Sequence, residues 1–178
     1  MLSHLKNYNI ILASQSPRRQ ELLSGLNIPF EVKVIDVEET YPRELVGVDI
    51  PMYLAEKKAN AYKDIMDDNT LLITADTIVW HEGKVYNKPK DKVEATAMLK
   101  ALSGKTHQVI TGVCLMTRDL QRTFSATTQV TFDVLTEDEI EFYVEKFRPL
   151  DKAGAYGVQE WIGFVGVSRL EGSYFNVM

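Results

Sequence analysis

Asp76 interrupts one of the most apolar runs of the chain, Leu71-Leu72-Ile73-Thr74-Ala75-Asp76-Thr77-Ile78-Val79-Trp80. An unpaired carboxylate taken out of water costs several kcal/mol, so Asp76 must meet a cation, a metal or a rich set of donors. At the edge of a cleft, such an acid holds a divalent cation or takes a proton from water. The structural alternative is a bulge at Asp76 and Thr77 whose side chains satisfy local backbone groups. A second acidic group, Asp36, Glu38 and Glu39, follows a predicted strand and precedes Tyr41-Pro42. Taken alone it reads as a solvated loop. If Glu39 and Asp76 share a cleft, they offer the hard oxygen ligands that magnesium or manganese prefers, with a phosphate completing the shell.

Cations sit where an anion would want them. In Ser16-Pro17-Arg18-Arg19, serine is a good N-cap and proline suits the first helical position. Arg18 and Arg19 then lie at the positive end of the helix dipole, which costs roughly 0.3–1 kcal/mol per charge without compensation. A bound phosphate would compensate, drawn also by the free backbone N–H groups of the turn. A pair of solvated arginines tolerating the dipole is the plainer reading. Lys58 falls mid-helix among Ala55, Ala59 and Ala61, whose small side chains permit close approach, with Lys57 as its exposed-looking neighbour. Lys88 precedes Pro89, which holds it extended. For either lysine alone, a surface charge is the ordinary role.

The elements that must position these groups alternate between helix and strand. Strands are predicted over 10–12, 30–34 and 71–80, and helices over 16–23, 51–62 and 93–102. Residues 81–84 read as a turn. Runs 107–117 and 123–133 flank a turn near Asp119 and predict a hairpin. Thr136 and Glu139 form a capping box for a helix to about Lys146, and 162–167 and 174–177 read as strands. The expected fold is an α/β one with a mixed sheet.

With 178 residues and a hydrophobic fraction of 45%, the chain can bury a sizeable core. A net charge of −5 argues against a nucleic-acid-coating surface and for a small partner. Cys114, the single cysteine, lies in an apolar run and reads as a buried thiol. Neither a leader nor a membrane-length apolar run is visible, which favours a cytoplasmic location.

Several familiar motifs fail on inspection. Gly104-Lys105-Thr106 resembles the end of a Walker A loop, but Leu99 stands where its first glycine belongs, and the loop joins a helix to a strand rather than the reverse. No nucleophile elbow, dinucleotide glycine run or zinc pairing of His4, His81 and His107 is present. His107 reads as a loop-ordering residue. In 151–159, Gly154 and Gly157 let backbone approach a ligand, and the Gln159 amide can read a nucleobase edge.

Together these segments resemble the Maf family of nucleoside triphosphate pyrophosphatases. The resemblance rests on Leu12-Ala13-Ser14-Gln15-Ser16-Pro17-Arg18-Arg19, Ala75-Asp76-Thr77-Ile78-Val79, Lys88-Pro89, Ser103 to His107, Asp151 to Gln159 and Gly172-Ser173-Tyr174, in the family's order along nearly the whole chain. It implies one Maf-like domain over 1–178 with an elongated mixed sheet and two lobes around a deep cleft. The implied architecture is that of the inosine triphosphate pyrophosphatases, assembled as a homodimer. It also implies magnesium or manganese as cofactor, a nucleoside triphosphate as substrate, and no membrane or nucleic-acid partner. Asp76 matches the proton acceptor and a metal ligand, and Glu39 the second acidic ligand. Ser14, Arg18, Arg19, Lys58 and Lys88 match positions that hold the triphosphate. Arg18, Thr77 and Gln159 resemble the subgroup that acts on dTTP and UTP. A pool-cleaning pyrophosphatase for other modified nucleotides and a non-catalytic nucleotide-binding or nucleic-acid-binding regulator of division are the competing expectations.

Two departures from the family pattern stand out. Glu160 occupies a position where glycine is usual, at the edge of the implied base pocket. The sequence also stops at Met178, before the family's Gly-Leu-Pro segment and closing helix, and the expected consequence is an exposed sheet region and reduced stability.

Overall fold

Alternating burial along residues 106–116 and side-chain caps at Asp91 and Thr136 set some of the elements. A computed structural model describes residues 2–178. The chain runs β1 (Asn9–Leu12), α1 (Pro17–Ser24), β2 (Glu31–Val32), α2 (Asp49–Asn60), β3 (Thr70–His81), β4 (Lys84–Tyr86) and α3 (Lys92–Leu102). It continues with β5 (Thr106–Met116), β6 (Gln121–Phe132), α4 (Glu137–Phe147), α5 (Trp161–Gly166), β7 (Val167–Glu171) and α6 (Tyr174–Val177). Among the described residues, seven strands form one sheet in the order β2-β1-β3-β5-β6-β7, with β4 pairing β3. β1 is parallel to both neighbours, placing Asn9 opposite Thr70 and Leu12 opposite Ile73, while β4 and β7 run antiparallel to β3 and β6. The sheet is mixed, as its sequence pattern predicts.

Contacts divide the chain into two compact units, Met1–Asp76 with Thr111–Ser125 and Thr77–Ile110 with Ala126–Met178. Strands β3, β5 and β6 each contribute residues to both units. In the first unit, Ala13, Ala55, Ala59, Tyr62, Leu72 and Cys114 form the apolar cluster, so the lone thiol is buried as expected. Helix α2 lies against the sheet without side chains between at one point: a Cβ on Gly112 of β5 would fall 2.3 Å from the Pro51 carbonyl. Thr74 of β3 donates its hydroxyl to the Ala55 carbonyl at 2.7 Å, fixing strand and helix together.

The core of the second unit includes Leu99, Leu102, Phe132, Ile140, Tyr143 and Ile162. The predicted capping box opens α4: the Thr136 hydroxyl accepts from the Glu139 N–H at 3.2 Å, and the Glu139 carboxylate accepts from the Thr136 N–H at 2.7 Å. His107 opens the predicted 107–117 strand and reaches the 151–159 segment. It lies within β5, its Nε2 2.7 Å from the Tyr156 hydroxyl and its ring edge-on to Phe132. Burial first, and then the nearby His81, push its pKa down to about 3, so the ring is neutral.

Other departures concern the end of the chain and two short strands. Residues 162–167, predicted as a strand, mostly form α5, because Val158, Ile162 and Gly166 are buried at four-residue spacing. An apolar run without alternation fits either period, and the core decides. Residues 174–177 form α6 rather than a strand. The Asn176 amide donates to the carbonyls of Val109 at 3.0 Å and Ala126 at 3.3 Å, which draws the segment into a turn despite its aromatic residues. β2 keeps only two residues of the predicted 30–34 run, since its register with β1 is limited to Ile11–Glu31 and Leu12–Val32. The 81–84 turn leads straight into β4, a strand absent from the sequence reading.

Candidate active site

Asp76 closes the part of β3 that belongs to the first unit and is only 7% exposed. Its partner comes from α2. The small residues Ala55 and Ala59 are fully buried, and between them Lys58 extends its ammonium to within 2.6 Å of Asp76 Oδ1 and 2.7 Å of Glu39 Oε1. The cation demanded by a carboxylate inside an apolar strand is therefore a lysine of the same unit. Burial lifts the Asp76 carboxyl above the ordinary carboxylate range and Lys58 pulls it back; Glu39 pushes it up and Arg19 opposes that in turn. A carboxylate held in this way is a stronger base than a solvated one.

The turn from β1 into α1 supplies the next groups. Ser16 occupies the N-cap position but makes no side-chain cap bond. Ser14 orders the turn before it: its Oγ accepts from the Ser16 N–H at 3.2 Å and from Arg19 Nη1 at 3.4 Å. Arg19 Nη1 also donates to the Ala75 carbonyl at 2.8 Å, which ties the start of α1 to the residue before Asp76. Burial lowers the Arg19 pKa, whereas Asp76 and Glu39 raise it and its neighbour Arg18 lowers it. Ser14, Arg19, Lys58, Glu39 and Asp76 thus come together in one unit, with Arg18 beside them on α1.

Glu39 lies on a segment without regular structure, and α2 and the turn that follows it hold that segment at several points. The Tyr62 hydroxyl donates to the Lys33 carbonyl at 2.7 Å and accepts from the Ile35 N–H at 2.8 Å. Lys57 donates to the Thr40 carbonyl at 2.9 Å and to its hydroxyl at 2.8 Å. Sequence reasoning gave neither residue a role, reading Lys57 only as the exposed-looking neighbour of Lys58. The available signal was a helix with Lys57, Lys58 and Tyr62 facing an acidic loop, but nothing local reveals partners 17 to 29 residues away.

The other candidate residues belong to the second unit. Thr77 follows Asp76 on β3 and is half-buried, and Lys88 is exposed ahead of buried Pro89. Gln159 sits in the 157–160 turn, where the Glu160 N–H donates to the Gly157 carbonyl at 3.0 Å. Its Oε1 is buried without a hydrogen-bond partner among the described residues, a place where a ligand donor would be welcome. Glu160 is strongly engaged: one oxygen lies 3.0 Å from Lys152 Nζ and the other accepts the Tyr143 hydroxyl proton. Tyr143 in turn accepts the Gly157 N–H at 3.0 Å.

Among the described residues, no group of three or more His, Cys, Asp or Glu side chains is arranged to hold a metal. Glu39 and Asp76 nonetheless share one cation, the Lys58 ammonium. Two carboxylates completed by substrate phosphate and water are the usual provision for magnesium, so the donor set fits.

The model of the family described as Maf-like protein matches residues 9–178. The chain belongs to this family. Among similar proteins, this Maf-like chain is 58% identical to the dTTP/UTP pyrophosphatase of Bacteroides fragilis, over 100% of the chain and 93% of that protein. It is 55% identical to the dTTP/UTP pyrophosphatase of Porphyromonas gingivalis, over 100% of the chain and 91% of that protein. Its fold resembles the solved Staphylococcus aureus Ham1 protein, with a TM-score of 0.53 and 19% identity over 88% of this chain and 90% of that one. At that identity the likeness concerns the fold alone.

Proposed function

We propose that this Maf-like chain, as a single domain, hydrolyses dTTP and UTP to the nucleoside monophosphate and pyrophosphate. The observation that carries the reading is the buried Asp76, held with Glu39 on one lysine beside Arg19, in a chain similar throughout to proteins that bear that name. Asp76 takes a proton from the water that attacks the α-phosphorus, and the pyrophosphate group leaves. Ser14, Arg18, Arg19, Lys58 and Lys88 hold the triphosphate, the guanidinium groups offering paired donors to its oxygens. Magnesium or manganese on Glu39 and Asp76 supplies charge neutralisation along the phosphates when bound. Arg18, Thr77 and Gln159 favour the pyrimidine base, Gln159 through an amide able both to donate and to accept.

A homodimer acting in the cytoplasm, with no membrane or nucleic-acid partner, belongs to the same reading. Among the described residues, no helix is long and apolar enough to cross a membrane. The test is a panel of canonical and modified nucleoside triphosphates incubated with the purified chain and magnesium or manganese, with pyrophosphate and orthophosphate quantified separately. Metal-dependent pyrophosphate release, fastest with dTTP and UTP, is expected. Orthophosphate as the first product, or binding without turnover, would overturn the reading.

A further inference from the structure

The Lys58 ammonium stands 2.6 and 2.7 Å from oxygens of two different carboxylates. Hard divalent cations bind such oxygens at about 2.0–2.6 Å, so the ammonium nitrogen occupies the kind of place a metal ion would take. The segments that carry the two carboxylates are held by the protein. Asp76 sits on β3, which is bonded to α2 through Thr74, and Glu39 lies on a segment clasped by Tyr62 and Lys57. Lys58, by contrast, reaches its partners on a flexible four-carbon stem. Its ammonium can therefore leave the two oxygens while its backbone stays fixed on α2.

The two carboxylates already have their cations. Asp76 and Glu39 face Lys58 and feel Arg19. A divalent ion entering alone would either compete with the ammonium for the carboxylates or meet two cations with little to offset them. A triphosphate changes this balance, because it brings enough negative charge to give the displaced ammonium a new partner.

Resting on the pyrophosphatase reading, we propose that Lys58 is an internal counter-ion. It keeps the Asp76–Glu39 pair closed to free divalent cations and swings to phosphate when a nucleotide arrives, which makes metal capture conditional on substrate. By linkage the dependence is reciprocal, and couplings of this kind typically amount to roughly 5–150-fold.

The test is Mn2+ binding by the full chain, followed by the electron paramagnetic resonance signal of free Mn2+, without nucleotide and with the non-hydrolysable α,β-imido analogue of dUTP. Wild type should bind Mn2+ about 10-fold or more tightly with the analogue than without it. Lys58→Gln and Lys58→Met should bind Mn2+ alone about 10-fold more tightly than wild type and lose most of the coupling, whereas Lys58→Arg should retain it. Circular dichroism and melting curves establish that the variants are folded. Equal Mn2+ affinity with and without the analogue in wild type overturns the proposal even if no variant folds. Normal coupling in wild type, with a folded Gln or Met variant that binds Mn2+ alone no better, overturns it and leaves the carboxylate pair standing. No Mn2+ binding under either condition overturns both the proposal and the assignment of Glu39 and Asp76 as metal ligands.

Discussion

Lys58 in the first unit and Lys152 in the second each bridge two carboxylates, Asp76 with Glu39 and Asp151 with Glu160. Their surroundings set them apart. Around Lys152 the circuit closes on itself, because Glu160 also takes the Tyr143 hydroxyl proton and Tyr143 takes the Gly157 N–H. A polar network satisfied in this way rigidifies the turn that carries Gln159. Around Lys58, two acids on separately anchored segments meet at one ammonium on a long, flexible stem. The same residue types therefore serve to fix a shape in one place and to exchange partners in the other.

Substitutions should separate the two roles. The largest effect is expected from Asp76→Asn, which should lower kcat for pyrophosphate release by about 10²–10⁴-fold while nucleotide binding, followed by calorimetry, persists. Full activity in that variant would remove Asp76 from the proton-accepting role. Glu160→Ala should do the reverse, costing about 1–3 kcal/mol in urea denaturation by leaving Lys152 with Asp151 alone and the Tyr143 hydroxyl proton without its acceptor. A loss of kcat at unchanged stability would erase the distinction. Gly112→Ala places a methyl group against the Pro51 backbone and should destabilise by roughly 1–3 kcal/mol. Because it displaces the helix bearing Lys58, its activity loss at a temperature where the protein is still folded should exceed that of Glu160→Ala.

The smallest effect concerns pH. His107 binds a proton near its ordinary 6.5 when unfolded but only near 3 when folded, so the unfolded state gains protons as pH falls between those values. The melting temperature should drop on acidification from about pH 6.5 toward 3, and His107→Gln should make that drop shallower. An unchanged slope would show that other groups dominate acid unfolding.

Much of the site was legible because its chemistry depends on residue type. A lone acid in an apolar strand announces a need for a cation, and adjacent arginines at a helix start announce an anion. The choice of partner was not legible. Lys58, read as a phosphate ligand, faces Asp76 and Glu39, and Ser14 rather than Ser16 makes the side-chain bond in the turn into α1. Such choices depend on contacts between distant segments. The same cause hid Tyr62 and Lys57 and turned residues 162–167 mainly into helix, since alternation says nothing where every residue of a run is apolar or small. Where periodicity and caps agreed, as at Thr136 and Glu139, the element formed as its sequence predicts.

The burial of Cys114 has a practical consequence. It is the chain's single sulfhydryl, it has no accessible surface, and burial pushes its pKa up, so a maleimide or disulfide reagent reaches it only when the surrounding structure opens. Its labelling rate under native conditions is thus a clock for opening of the first unit alone, built in without any engineered probe. Slower labelling with nucleotide present would measure directly how far ligand closes down that motion.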